Sequence, residues 1–187
     1  MVALKILRAD STRILNQPNE ADILRTVAQA NPGHPGREHI VKILDSFVHS
    51  GPNGEHTCIV FEALGQSVLD FQRNCKRGRL PLEMVRPIAR QLLLALDYIH
   101  SHCRLIHTGK QSVALDNWRR DLQSGNILFD VGDIEDKLSV MPSPVLASED
   151  PTIISSQPLR WTTDKPVKIK LTDFGVGTKP LVESADR

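Results

Sequence analysis

Apolar positions change their period several times along this chain, and the changes divide it into elements. In residues 2–7 (VALKIL) the side chains alternate, so that Ala3, Lys5 and Leu7 share one face, as in a short strand. Glu20-Ala-Asp-Ile-Leu-Arg-Thr-Val27 then sets Ile23, Leu24 and Val27 at helical spacing. Asn31-Pro-Gly-His-Pro-Gly36 ends that helix with residues that cannot continue it. His39 to Phe47 and His56 to Leu64 read as two strands, joined through Ser50-Gly-Pro-Asn-Gly54, whose composition suits a hairpin loop. Two strands after one helix exclude a simple strand–helix–strand unit.

Helical periodicity returns from Glu83 to His100. Val85, Ile88, Leu92, Leu96 and Ile99 form one stripe, widened by Ala89, Leu93 and Ala95, which predicts burial on more than one side. Pro87 falls near the start, where few intrahelical bonds are lost. Residues 131–166 break every period: five prolines, many Ser and Thr, and the acidic Asp133, Glu135 and Asp136 predict a loop or partly disordered insert. Val167-Lys-Ile-Lys-Leu-Thr172 restores strand alternation and runs into Asp173-Phe-Gly175. No internal repeat is present.

Composition narrows the class without naming it. The length of 187 residues suits one domain or part of a larger one. A net charge of +1 gives no footprint for direct nucleic-acid binding and no attraction to an acidic membrane. Cys58, Cys75 and Cys103 are too far apart for a CxxC site and odd in number, which fits idle thiols in a reducing compartment. Leu92 to Leu96 is too short to cross a bilayer, and MVALKILRAD lacks a signal-peptide layout. Cytoplasmic or nuclear residence is the resulting expectation; oligomeric state is left open.

Four features then fall in one order. A lysine lies on an early strand (Lys5) and a glutamate on the next helix (Glu20). Asp121-x-x-x-x-Asn126 follows the long helix, and Asp173-Phe-Gly follows another strand. Taken singly each is bland. Lys5 reads as a solvated edge residue, Glu20 as a helix-surface acid, Asp173-Phe-Gly as a turn, and His107 as a structural histidine. Together they are the kit of phosphoryl transfer: a cation for the phosphates, a carboxylate to hold it, a second carboxylate to orient the attacking hydroxyl, and oxygen ligands for Mg²⁺.

At these positions the chain resembles a eukaryotic protein kinase, with VALK as the lysine strand and Asp-Phe-Gly intact. Cys58-Ile-Val-Phe-Glu-Ala-Leu-Gly65, Leu96-Asp-Tyr-Ile-His100, Cys103-Arg-Leu-Ile-His-Thr108 and the Pro/Ser-rich insert resemble the SR-protein kinase family. The resemblance implies an α+β, bilobal kinase fold, incomplete because it lacks the glycine-rich-loop strands and the lower C-terminal lobe. Residues 1–64 would form the N-terminal lobe and 65–187 the upper C-terminal lobe. It implies that Lys5 meets the α/β-phosphates of ATP and pairs with Glu20, and that Asp121 accepts the substrate hydroxyl's proton. Asn126 and Asp173 would hold Mg²⁺, and Glu62 to Leu64 would form a hinge meeting adenine, with Phe61 behind it. The implied activity is phosphorylation of Ser/Thr in protein substrates rich in Arg and Ser. In that family the loop reads His-Thr-Asp, without the arginine that pairs with an activation-loop phosphate, so activity would not depend on such a phosphate.

Three departures bear on activity. Gln123 stands where these kinases carry a lysine two residues after the aspartate, and losing a charged contact to the transferring phosphoryl slows such chemistry on the order of 10²-fold. Neither a glycine-rich loop before Lys5 nor an Ala-Pro-Glu end to the activation segment is present, so the helix stripe is expected to miss its main packing partner. Gly109 to Arg120 separates Leu105-Ile-His-Thr108 from Asp121. One reading is translated intron: Gly-Lys encoded GGT-AAG carries a donor-like GTAAG, an Arg codon ending in A before Asp121 supplies an acceptor, and joining restores His-Thr-Asp-Leu. The other is a genuine loop insertion, whose closure costs only about 1–2 kcal/mol; transcript reads across the site separate the two. Two rival functions stay open, a non-catalytic pseudokinase or interaction module and a small-molecule phosphotransferase with a similar His-x-Asp-x-x-x-x-Asn.

Overall fold

The computed structural model describes residues 1–9, 20–107, 122–132, 166–174 and 178–180, with backbone alone for 106, 107 and 178–180. Asp121, the segment 109–120 and residues 133–165 of the insert lie outside the described residues.

β1 (Val2–Ile6), β2 (Ile43–Gly51) and β3 (Gly54–Glu62) form an antiparallel sheet of order β1-β3-β2. The pairing sets Lys5 opposite Ile59 and Val2 opposite Glu62. The hairpin is tighter than its composition suggests. Both strands run into the expected loop until Gly51 faces Gly54, where a φ of +113° calls for a residue without a Cβ. β2 also starts later than the apolar run from His39. Pro35–His39 forms a 3₁₀ turn capped by the His34 ring, which accepts the Gly36 N–H at 3.1 Å, and Ile40 is spent on a bridge to Leu171.

α1 (Glu20–Ala30) follows the helical pattern and buries Ile23, Leu24 and Val27. A second helix, α2 (Val68–Asn74), carries no long apolar period. Ser67 caps it by accepting the Asp70 N–H at 3.0 Å and donating to the Asp70 carboxylate at 2.7 Å. α3 (Leu82–Asp97) continues into one π turn, Tyr98–His102. Four further strands form two short antiparallel ladders: β5 (Ile127–Phe129) pairs with β6 (Ile169–Leu171), and β4 (Leu105–His107) with β7 (Thr178–Pro180).

The α3 stripe, expected to miss its main packing partner, is covered in part within the chain. Ile88 and Ile99 are buried, and Leu92 and Leu96 pack partly buried on the core, while Val85 is exposed and Met84 takes a buried place. Leu82 and Leu93 are the strongly exposed apolar residues of this helix. Two contacts explain the packing. Gln91 donates to the Val167 carbonyl at 2.7 Å and accepts from the Ile169 N–H at 2.9 Å, which pins β6 along α3. Gly36 lets the 3₁₀ turn touch α3, since a Cβ there would sit 1.9 Å from the Leu94 carbonyl oxygen.

One core results. It joins Leu24 and Val27 of α1 with Ile40, Tyr98, Phe129 and Leu171, and each fully buried apolar side chain contributes about 1.5–3 kcal/mol. Tyr98 is fully buried, and its hydroxyl donates to the Val27 carbonyl, so the end of α3 is hydrogen-bonded to the end of α1. Burial holds the Tyr98 phenol above its ordinary range.

Candidate functional site

The site begins on β1. Strand alternation turns Lys5 to one face, and from there its ammonium reaches two carboxylates, Glu20 Oε2 at 2.7 Å and Asp173 Oδ1 at 3.1 Å. Glu20 is the first residue of α1, where helix N–H groups favour a negative charge. The acid is buried, and a buried carboxylate needs a partner. Burial pulls the Lys5 ammonium toward neutrality, but Glu20 and then Asp173 outweigh it, and its pKa is raised above the usual lysine value.

Asp173 follows β6 with a φ of +65°, a left-handed conformation that aspartate adopts more readily than bulky residues. Beside it, Phe174 is fully buried and anchors the turn. Asn126 ends a 3₁₀ turn (Ser124–Asn126) just before β5, where its N–H donates to the Gln123 carbonyl at 2.9 Å. The β5–β6 ladder pairs Ile127 with Leu171, which brings the start of β5 to the end of β6. There the Asn126 carbonyl accepts both the Thr172 N–H (2.9 Å) and the Thr172 hydroxyl (3.0 Å). Thr172, the residue just before Asp173, therefore ties the Asn126 turn to the start of Asp173-Phe-Gly.

Of the residues singled out in the sequence, the structure brings Lys5, Glu20 and Asp173 into direct contact and sets Asn126 beside Thr172. Asp121 lies outside the described residues, as does the side chain of His107. Glu62 closes β3 with its groups already engaged. Its N–H donates to the Lys42 carbonyl at 3.1 Å, and its carboxylate accepts the Lys42 N–H at 2.7 Å and pairs with Lys170 at 2.8 Å. Leu64 is half-buried against the core, and Gly65 next to it is fixed by an N–H bond of 2.8 Å to the Phe129 carbonyl.

Sequence reading missed Thr172 and Lys170. The signal for Lys170 was available, because alternation in Val167-Lys-Ile-Lys-Leu puts both lysines on one face and leaves the nearer one to find an acid. The Thr172 bonds depend on which strand pairs with β6, which no local pattern gives.

The donor set suits a nucleotide phosphate with a divalent cation. The Lys5 side chain is 39% exposed and that of Asp173 53%, so ammonium and carboxylate open to solvent at one spot. An ammonium suits anionic oxygens, and a carboxylate oxygen suits a hard cation such as Mg²⁺.

A lysine on a small antiparallel sheet, bonded to a helix glutamate and to the aspartate of a strand-terminal Asp-Phe-Gly, is the arrangement of a protein kinase. No family model matches the chain. Over 174 residues, 93% of its length, the chain is 34% identical to the protein kinase dsk1 of Schizosaccharomyces pombe. It is 37% identical over 137 residues to the serine/threonine-protein kinase SKY1 of Saccharomyces cerevisiae, and 36% over 132 residues to SRSF protein kinase 3 of Mus musculus. The chain spans 29%, 17% and 21% of the length of these relatives. It belongs to the SR-protein-kinase-like serine/threonine kinases and carries part of the kinase fold.

Proposed function

We propose that the chain carries the nucleotide-binding part of an ATP-dependent kinase that phosphorylates Ser or Thr in proteins rich in Arg and Ser. One observation supports this reading above the others: Lys5 lies between Glu20 and Asp173, within hydrogen-bond reach of both. In this reading residues 1–64 are the N-terminal lobe and the rest is the upper part of the second lobe. Lys5 holds the α/β-phosphates, Glu20 keeps its ammonium in place, and Asn126 and Asp173 hold Mg²⁺. Asp121 takes the proton of the attacking hydroxyl, and adenine lies against the backbone from Glu62 to Leu64. Bound Mg²⁺ neutralises charge on the phosphates during transfer. The substrate class follows the relatives' likeness, one of which is named for SRSF proteins.

A second reading, a binding module without transfer activity, is favoured by Gln123, a neutral amide in the loop that precedes Asn126. Both readings are tested together by stability with and without Mg-ATP, and by phosphate incorporation into an Arg/Ser peptide. Stabilisation by Mg-ATP that is lost in Lys5→Met, together with labelling of the peptide, supports the kinase. Stabilisation without labelling supports the binding module. No response to Mg-ATP removes the nucleotide site altogether, and labelling of an aminoglycoside but not the peptide indicates a small-molecule phosphotransferase.

A further inference from the structure

Residues 62–64, which the reading above lays against adenine, run between two anchors. At one end the Lys170 ammonium meets both oxygens of the Glu62 carboxylate, Oε1 at 2.8 Å and Oε2 at 3.0 Å. At the other end the Gly65 N–H donates to the Phe129 carbonyl at 2.8 Å, and the Phe129 N–H donates to the Gln66 carbonyl at 3.1 Å. Lys170 lies on β6 and Phe129 on β5, and the two strands pair with Phe129 opposite Ile169. That ladder also carries the residues assigned to Mg²⁺, since Asn126 immediately precedes β5 and Asp173 lies just beyond Thr172 at the end of β6.

The anchors differ in kind. At Gly65 backbone bonds backbone, and no side chain is needed. At Glu62 the N–H and the carboxylate also bond Lys42, at 3.1 and 2.7 Å. That attachment reaches β6 indirectly, through Val41, whose N–H donates to the Leu171 carbonyl at 3.0 Å. Lys170 makes the direct link. Its side chain is 13% exposed and that of Glu62 25%, so water and salt screen this pair less than a surface one. β6 itself has other supports. Gln91 of α3 bonds the Val167 carbonyl and the Ile169 N–H, and Leu171 pairs with Ile127. Removing the Lys170 ammonium therefore loosens Glu62 and leaves Asp173 in place.

We propose that Lys170 is a positioning residue of the nucleotide site. Through Glu62 it holds the adenine-contact segment at a fixed offset from the ladder that bears Asn126 and Asp173. Lys170 has no role in the nucleotide reading above, on which this assignment rests. One ladder then sets the distance between the base end and the phosphate end of the ligand. A ligand that touches both ends gains from a preset spacing, and a ligand that touches only the phosphate end does not.

The test compares ATP with inorganic tripolyphosphate, both with Mg²⁺, by calorimetric titration of the full chain and of Lys170→Met. Lys170→Met should bind ATP about tenfold more weakly and tripolyphosphate within about twofold of the wild type, because the phosphate end is untouched. The double variant Glu62→Gln with Lys170→Met leaves no unpaired carboxylate and should show the same split, which excludes misfolding as its cause. Amide hydrogen exchange without nucleotide gives a second readout. The amides of residues 42 and 62 should exchange about tenfold faster in Lys170→Met, and those of Gly65 and Phe129, at the other anchor, at the wild-type rate. Equal losses for ATP and tripolyphosphate, or an unchanged affinity for ATP, would overturn the proposal. A wild type that binds tripolyphosphate as tightly as ATP would overturn it too, while the phosphate site stands. A wild type that binds neither overturns the nucleotide reading, and unchanged exchange at 42 and 62 overturns the anchor itself.

Discussion

The Lys5–Glu20 pair is asymmetric. The two atoms lie 2.7 Å apart, yet the glutamate side chain is 4% exposed and the lysine 39%. Each partner therefore depends on the other to a different degree. Without Lys5, the buried carboxylate is left in a poorly solvated place. Without the Glu20 charge, Lys5 keeps water and the second carboxylate of Asp173.

Lys5→Met should accordingly destabilise the fold more than Glu20→Gln. A buried charged group left unsatisfied costs about 1–3 kcal/mol, whereas a charge loss beside a solvent-screened lysine costs about 0–1 kcal/mol. Urea midpoints of the two variants check this. A larger loss in Glu20→Gln would mean that the lysine, not the acid, is the dependent member.

The same pair sets a pH dependence. The folded-state pKa of Lys5 is raised above the ordinary lysine value of 10.5 because Glu20 and Asp173 overcome the effect of burial. Folding therefore binds this proton more tightly, and the stabilisation is fully present below the unfolded pKa and lost as pH rises through the folded one. The stability gap between the wild type and Lys5→Met should be flat from about pH 7 to 10 and shrink above that. The buried Tyr98 phenol, also raised, titrates in both proteins and cancels in the difference. A gap that stays unchanged as pH rises well above 10.5 would contradict the assignment.

Some of this was written in the sequence and some was not. Alternation in Val2-Ala-Leu-Lys-Ile put Lys5 on a definite face, and the helical spacing of Ile23, Leu24 and Val27 fixed which side of α1 is buried. That left Glu20, at the helix start, free to meet the lysine. Local pattern failed where the decisive partner is distant. Val85 sits on the α3 stripe but is exposed, because Gly36 and Gln91 determine what α3 packs against. α2 is short and depends on the Ser67 cap instead of an apolar period. At Glu62 the local sequence does not reveal that the carboxylate is held by Lys170, 108 residues away.

The close approach at Gly36 gives a sharp stability test. A Cβ would lie 1.9 Å from the Leu94 carbonyl oxygen and 2.8 Å from Tyr98 Cβ, so backbone must move and not only a flexible side chain. Parting the turn from α3 would also strain the Tyr98 hydroxyl bond to Val27. Gly36→Ala should cost about 3 kcal/mol or more, in the range of severe overpacking. Gly33→Ala, whose nearest contact is 3.7 Å, should cost little by comparison. Thermal unfolding of the two variants side by side checks this, and similar midpoints would show that the turn gives way freely.

Thr172 offers the cleanest separation of metal binding from folding. Its hydroxyl and N–H both bond the Asn126 carbonyl, and it immediately precedes Asp173, so it sets the spacing of the two residues assigned to Mg²⁺. Thr172→Val keeps the volume and the N–H bond and removes only the hydroxyl, at a net cost to stability of about 1 kcal/mol. If Asn126 and Asp173 hold the cation, loosening their spacing should weaken Mg-ATP binding several-fold, since partners of this kind orient metal ligands. Binding of ATP measured in excess EDTA should change far less, because Lys5 and Glu20 are untouched. Calorimetric titration under the two conditions distinguishes the cases. An equal loss with and without Mg²⁺ would mean that Thr172 supports the cleft as a whole, and an unchanged affinity in both would place the cation elsewhere.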